Sequence, residues 1–325
     1  MNPLPVINDS ARASMAVVVP AASESAVIAR LIKTLADQQF VGTVAIVIVV
    51  NGARDNTAAI ARARIDELVP RSTWRWRVLE LPVPSKSRAL NEGERIARSL
   101  LRSLGVESPD ITFYLDADIE LSPNTFDEVT RALSDVRPRI VQPFRCAEAS
   151  APFLSRMAGN ALCTLPWITG DIACGGVFAV NRAGRERWTE FPDLAADDAF
   201  VFNRFRSEER VVVTSARATH PMPATLRGLA RQQRRWRLAR KELEASGVPS
   251  AFPCDAAPAW PMRRRIKAML SSPRVLLSFL GLRAIRVASY LDRTHFRSHV
   301  WEVDRVGSTQ NKHSMKMRGH DAARS

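Results

Sequence analysis

Residues 111–120 read Ile-Thr-Phe-Tyr-Leu-Asp-Ala-Asp-Ile-Glu, an apolar run that stops at two carboxylates one residue apart. β-Branched and aromatic residues without polar alternation suit a strand buried on both faces, as in a parallel sheet. Asp116 and Asp118 then fall at its carboxyl end, where open α/β sheets bind ligands. Continued alternation points both side chains the same way, toward a divalent cation carrying phosphates.

The chain before this point alternates strand and helix. Strands are predicted over residues 15–19 (closed by Pro20), 44–50 (stopping at Asn51-Gly52) and 75–81 (ending in Pro82). Between them lie helices over about 24–38, 58–68 and 87–104; the first takes Ser23 as its N-cap and Ile28, Leu31, Ile32 and Leu35 as its apolar stripe. Such a pattern predicts an α/β fold with a doubly wound parallel sheet. Later strands are expected over 140–142, 177–180 and 211–214, the first two around a turn at Gly175-Gly176. A basic helix over 226–245 is ended by Gly247-Val248-Pro249, a proline-rich linker covers 252–261, and a second helix runs from Pro273 to about 293.

Composition sets the outer limits. The chain is long enough for one large or two small domains, and 46% hydrophobic residues suffice for a core. Cys146, Cys163, Cys174 and Cys254 show no metal-ligand spacing and read as buried thiols in a reducing compartment. No leader pattern occupies residues 1–14 and no run of apolar residues is long enough to span a membrane. Residues 217–325 hold 22 Lys and Arg against 7 Asp and Glu, whereas residues 1–216 hold 25 against 26. The net charge of +14 thus belongs to the last third, which calls for an anionic partner there.

Polar motifs follow the elements in order. Pro20 and Glu24 come after the first strand, Asn51 and Asp55-Asn56-Thr57 after the second, and Lys86 and Asn91 after the third. Asp116-Ala-Asp118 follows the fourth; downstream come Asp197-Asp198 and Gln232-Gln-Arg-Arg235-Trp236. From about residue 15 to 245 this ordered set resembles the family 2 glycosyltransferases, inverting enzymes of the GT-A fold that use nucleotide sugars. The Gln-x-x-Arg-Trp element is its most specific part.

The resemblance implies a Rossmann-like, mostly parallel sheet flanked by helices, and a division of labour within it. Asp118 ligates Mn²⁺ or Mg²⁺, and Asp116 contacts the metal, its bound water or the ribose; Glu24 and Asn51 surround the nucleoside beside Pro20. Lys86 lies near the donor phosphates, Asn91 holds that loop, and Gln232 and Arg235 contact the pyrophosphate. Trp236 floors the acceptor sugar, with Gly175 and Gly176 on the acceptor side. Asp198 is the implied general base, with Asp197 as the alternative. The chemistry asks for such groups in its own right: departure of a nucleoside diphosphate builds negative charge, and an attacking hydroxyl must lose a proton.

The resemblance implies a UDP-sugar donor, and four departures bear on that identity: Asn51 stands where the family has Asp, the first loop reads Ala-Ala-Ser-Glu, the acidic pair is Asp-Asp, and Ala196 replaces a frequent Thr. Chain-growing relatives carry membrane spans, so the expectation is transfer of one or a few sugars to a glycan or lipid-linked acceptor in cell-envelope or exopolysaccharide synthesis. The expected division is a flexible 1–14, a catalytic domain over 15–247 (donor half 15–125, acceptor half 126–247), and a basic linker, amphipathic helix and frayed tail over 248–325. In that last helix Leu276, Leu277, Leu280, Ile285, Val287, Ala288 and Leu291 are apolar, while Arg283, Arg286, Arg293 and Arg297 fall within about 80° of arc. This is how a helix on an anionic membrane looks, or one packed on the domain, and it suits a cytoplasmic protein held peripherally at the inner face. Two other classes fit parts of the pattern. A GT-A-like nucleotidyltransferase would share the Asp-x-Asp, but the chain lacks its Gly-rich loop after the first strand. A basic nucleic-acid-binding protein would share the charge, but no nucleic-acid-binding motif is present and no specific nucleic acid is expected.

Overall fold

Two segments of the chain have almost no side chain that tolerates water, and they form the centre of the sheet. Every residue of β1 (Ser14–Ala21) is buried, and so is every residue of β2 (Thr43–Asn51) but the first. With β3 (Trp74–Leu81) and β4 (Ile111–Leu115) they make four parallel strands in the order β3-β2-β1-β4. The computed structural model describes residues 13–68, 71–148, 153–164, 175–223, 225–248 and 261–291.

Alternation along the strands feeds two cores. Met15, Val17, Ile46 and Ile48 face α1 (Ile28–Ala36), α2 (Thr57–Asp66) and α4 (Thr125–Ala132), the last of which follows β5 (Glu120–Leu121). The predicted stripe of Ile28, Leu31, Ile32 and Leu35 is buried there. Phe126 sits among Phe40, Trp74 and Phe113, at ring separations of 6.2, 6.1 and 5.4 Å. On the other face Ala16, Ala45, Val47 and Val49 pack against α3 (Lys86–Arg102). Gly93 lets α3 approach closely: a Cβ there would lie 2.6 Å from Val18 Cγ1 and 2.9 Å from Val49 Cγ2.

The parallel pattern covers only half of the sheet. β7 (Val177–Asn181) runs antiparallel to β4 and to β6 (Ile140–Ala147), and β8 (Arg210–His220) runs antiparallel to β5. The short apolar runs at 140–142 and 177–180 could not disclose strand direction. The reversal has a local consequence, since β7 starts where β4 ends and Asp116 N donates to Gly176 O at 2.8 Å.

Other expectations need correction. Ser23 caps no helix: α1 begins at Ile28 after a turn, and Ser23 Oγ accepts from Arg54 N at 3.1 Å. Thr57 Oγ1 accepts from Glu24 N at 2.7 Å, which ties this loop to the start of α2 and delays α1. Ser14 belongs to β1 rather than to a loose N-terminus; its hydroxyl donates to Asp110 Oδ2 at 2.7 Å. β4 stops at Leu115, so Asp116-Ala-Asp118 is a turn, closed by Ile119 N donating to Asp116 O at 3.2 Å. Strand alternation therefore does not aim the two carboxylates. Cys146 is partly exposed rather than buried.

The described residues divide into two compact units. One holds residues 13–145, 175–219 and 242–248, which include the sheet, α6 (Arg182–Arg185) and α7 (Asp197–Phe202). The other holds residues 146–164, 220–241 and 261–291. It contains α5 (Phe153–Thr164), most of α8 (Leu226–Ala245), α9 (Met262–Leu270) and α10 (Pro273–Leu291). α8 has the predicted limits, and Gly247 follows it at φ +66°. α9 is a helix the sequence reading did not place. Within this unit α10 packs on α5, and Ile285 meets Met222 and Leu229. Residues 1–12, 165–174, 252–260 and 292–325 lie outside the described residues, and with them most of the expected N-terminal segment, the linker, Cys174, Cys254, Arg293, Arg297 and the frayed tail.

Valine at position 93 would have to push α3 off the sheet. Overpacking of this kind costs about 1–3 kcal/mol, so Gly93→Val should lower the unfolding free energy by that amount, read as a lower urea midpoint at unchanged slope; an unchanged midpoint would mean the helix and sheet are not in close contact there.

Candidate active site

Four loops leave the carboxyl ends of β1, β2, β3 and β4 at one edge of the sheet, and they hold most of the singled-out residues. Asn51 closes β2 and is buried. Its Nδ2 donates to Ala21 O at 2.8 Å and its Oδ1 accepts from Ser85 N at 3.2 Å. Both ends of the amide thus bind backbone, and they tie the loop after Pro20 to the one that starts α3. Glu24 is buried beside Thr57. Asp55 accepts from Ser25 N and Thr57 N, each at 3.1 Å; burial would raise its pKa, but the hydrogen bonds from Thr57 and Ser25 outweigh it and hold the carboxyl below the usual range.

Ser85 is the N-cap of α3, accepting from Arg88 N at 3.2 Å, and it delivers Lys86 into a group of carboxylates. Lys86 Nζ lies 2.8 Å from Asp116 Oδ1 and 3.1 Å from Asp197 Oδ2. Burial alone would pull the ammonium down, but Asp116, Asp197 and Asp198 push it well above the ordinary lysine range. Lys86 is therefore a permanent cation. Burial pushes Asp116 up to about 7; Lys86 opposes this, while Asp197 and Asp118 add to it. Asp197 and Asp198 open α7, where a helix dipole favours carboxylates. Asp197 is buried, whereas Asp198 is partly exposed and accepts from Ala199 N at 2.7 Å. Burial and the neighbouring Asp197 raise the Asp198 carboxyl above its ordinary value, with Lys86 and Arg145 pulling the other way.

Gly176, at φ +81°, has no room for a side chain: a Cβ would fall 2.3 Å from Asp116 Oδ2. At Gly175 a Cβ would fall 2.5 Å from Arg145 Nη1. Both glycines therefore line the acidic group. Arg145, at the end of β6, belongs to it as well, and no motif announced it.

A second layer supports the group, and sequence reasoning missed it. Glu94 is buried, and its carboxylate accepts from Arg185 Nε at 2.8 and 2.9 Å and from Tyr114 Oη at 2.9 Å. Arg98 adds a contact at 2.7 Å. Asn91, expected to steady the loop of Lys86, exchanges two hydrogen bonds with the backbone of Phe191, at 3.1 and 2.9 Å. Ser87 Oγ donates to Asp193 Oδ1 at 3.0 Å.

A model of Glycosyl transferase family 2 matches residues 16–190, more than half of the chain and all of its sheet edge. The chain belongs to that family. Among solved structures it is similar to a mannosyltransferase from Pyrobaculum calidifontis in complex with GDP-Man and Mn²⁺. They share 17% identity over 85% of this chain and 86% of that one, with a TM-score of 0.55. Weaker likenesses are to S. aureus TarS in complex with UDP (12% identity, 87% and 93% covered, TM-score 0.47). Another is to M. tuberculosis glucosyl-3-phosphoglycerate synthase with Mn²⁺, UDP and phosphoglyceric acid (20%, 73% and 80%, TM-score 0.46). No curated protein matches the chain. At these identities the likeness carries the fold, and that fold is the GT-A α/β architecture.

The matched span ends before Asp197, and it excludes the Gln-x-x-Arg-Trp element, which lies in the other unit. There Gln232, Arg235 and Trp236 sit at i, i+3 and i+4 on α8 and share one helix face. Trp236 is exposed, at 37%, and Gln232 Oε1 is a buried acceptor with no donor on it among the described residues. His220 ends β8 and accepts from Glu148 N at 2.9 Å through its carbonyl.

Because Asp116 is raised from its ordinary 3.8 to about 7, the folded chain keeps a proton there that the unfolded chain releases. Chelator-treated protein should therefore lose stability as pH rises through that window. Urea midpoints across the window check this, and Asp116→Asn should flatten the fall; a rise with pH in the native chain would contradict the burial of that carboxyl.

Proposed function

We propose that this family 2 chain is an inverting transferase that moves a sugar from a nucleoside diphosphate to a hydroxyl of a glycan or lipid-linked acceptor. The observation that carries the reading is the group of Asp116, Asp197 and Asp198 around the Lys86 ammonium, with Asp118 acting on Asp116, at the ligand-binding edge of the sheet. Its electrostatics support a divalent cation: the hard carboxylate oxygens already gather one positive charge, and burial, with Asp197 and Asp118 beside it, raises Asp116. Among the described residues no group of three or more His, Cys, Asp or Glu is placed to hold a metal ion by itself.

Asp118 and Asp116 would hold Mn²⁺ or Mg²⁺, which when bound supplies positive charge to the departing diphosphate. Lys86 adds a fixed charge beside it. Asp198 takes the proton: the acceptor oxygen attacks the anomeric carbon, the bond from that carbon to the diphosphate oxygen breaks, and the hydroxyl proton passes to the Asp198 carboxylate. A raised carboxyl is the better base for this, and its partner Asp197 is already committed to Lys86. Glu24 is assigned to the nucleoside and Pro20 to the wall beside it. On α8, Gln232 and Arg235 are assigned to the pyrophosphate and Trp236 to the acceptor sugar. Mannosyl donors are the first to try, since the mannosyltransferase of similar fold is in complex with GDP-Man.

The test is binding and hydrolysis across a panel of nucleotide sugars with Mn²⁺, Mg²⁺ or EDTA. One donor should bind in a metal-dependent way, and Asp118→Asn should weaken that binding at least about ten-fold. Asp198→Asn should keep binding but lose about 10²–10⁴-fold in turnover. Absence of binding by every donor with every metal would overturn the proposal.

A further inference from the structure

The helices α9 and α10 carry side chains that packing within their own unit does not explain. On α10 the inward face is Leu282, Ile285 and Ser289, all buried. Ile285 therefore does not belong to an outward apolar stripe as the sequence suggested. The outward face is still apolar. At 100° per residue Leu277, Leu280, Ala284, Val287 and Ala288 fall within about 100° of arc, and all are exposed. Arg283, Tyr290 and Arg286 line one edge of that arc, and they are exposed too. α9 repeats the layout in miniature. Ile266 and Leu270, the latter 76% exposed, lie beside exposed Arg263 and Lys267.

Charge says what such a face can meet. Residues 262–291 include seven Lys and Arg and no Asp or Glu. No described helix is long and apolar enough to cross a membrane. Apolar side chains edged by arginines and lysines, on helices unable to span, match a bilayer interface. The stripe enters the acyl boundary while the cations reach up to headgroup phosphates. Another protein would suit the apolar stripe but gives no reason for the one-signed rim; a nucleic acid would suit the cations but not Leu277, Leu280 and Val287.

We propose that α9 and α10 form a docking surface for an anionic lipid bilayer. The surface deepens the transferase reading by putting the chain where a lipid-linked acceptor would be, but it stands on its own residues.

The experiment is flotation of the full chain with vesicles of phosphatidylcholine, alone or with phosphatidylglycerol, at low and high salt. The wild type is compared with Arg283→Gln/Arg286→Gln and with Leu277→Gln/Leu280→Gln/Val287→Gln. All five side chains are exposed, so melting temperature and nucleotide-sugar binding should not change. The native chain should float with phosphatidylglycerol vesicles and only weakly with phosphatidylcholine. The double variant should lose about 25-fold in affinity, roughly five-fold for each cation near an anionic surface. The triple variant should lose at least about ten-fold and retain almost nothing at high salt. No flotation of the native chain with anionic vesicles overturns the proposal, and so does undiminished flotation of both variants. Salt-sensitive binding to duplex DNA that the arginine pair abolishes, with vesicles ignored, would reassign the surface to nucleic acid. Flotation without donor binding would keep this surface and sink the transferase reading; donor binding without flotation would do the reverse.

Discussion

The ammonium of Lys86 is the constraint on which the candidate site depends. Two pairs of carboxylates, far apart in sequence, are brought to one sheet edge, where burial and mutual repulsion both work against them. A cation 2.8 Å from Asp116 and 3.1 Å from Asp197 makes that arrangement tolerable. A buried ion pair is seldom a net source of stability, because desolvation offsets most of the attraction. Its value here is geometric: it holds the Asp-x-Asp turn and the start of α7 to the same point. Lys86 and Arg145 are the cations that act on these carboxylates.

Lys86 can serve this role because α3 is fixed along its whole length. Ser85 caps it, and Gly93 seats it against Val18 and Val49. At 100° per residue Lys86, Ser87, Glu94 and Asn91 span about 140° of one face. Their partners are Asp116 and Asp197, then Asp193, then Tyr114 and Arg185, then Phe191. One helix face thus organises the segment from Arg185 to Asp197 and connects it to β4. The Glu94 carboxylate is well satisfied, since Arg185, Arg98 and Tyr114 all donate to it. This buried network fixes register beneath the site in the same way that the ammonium fixes it above.

How much of this was legible follows from the range of each signal. The apolar runs gave β1, β2 and β4, the stripe of α1 was readable from its spacing, and α8 fell where its composition said. Those signals are local. The antiparallel direction of β7 was not readable, since five apolar residues carry no sign of which way they run. The cap at Ser23 misled because Ser23 and Glu24 are claimed by Arg54 and Thr57, some thirty residues on. Glu94 and Arg145 belong to no motif; both acquire meaning only from partners brought in by the fold. Asp116 and Asp118 were found by pattern, but their placement in a turn had to come from the structure.

Asn51 shows how a departure from a family pattern can follow from wiring. The amide orientation is fixed by its neighbours: Ala21 O can only accept and Ser85 N can only donate, so Nδ2 and Oδ1 each have one assignment. A carboxylate in this place could take the Ser85 amide but would face the Ala21 carbonyl with no proton to give. It would also add a charge to an edge that already carries an acidic excess. Asparagine satisfies both backbones and adds none. The bond to Ser85 reaches the cap of α3, so the loop after β1 is joined to the helix that delivers Lys86.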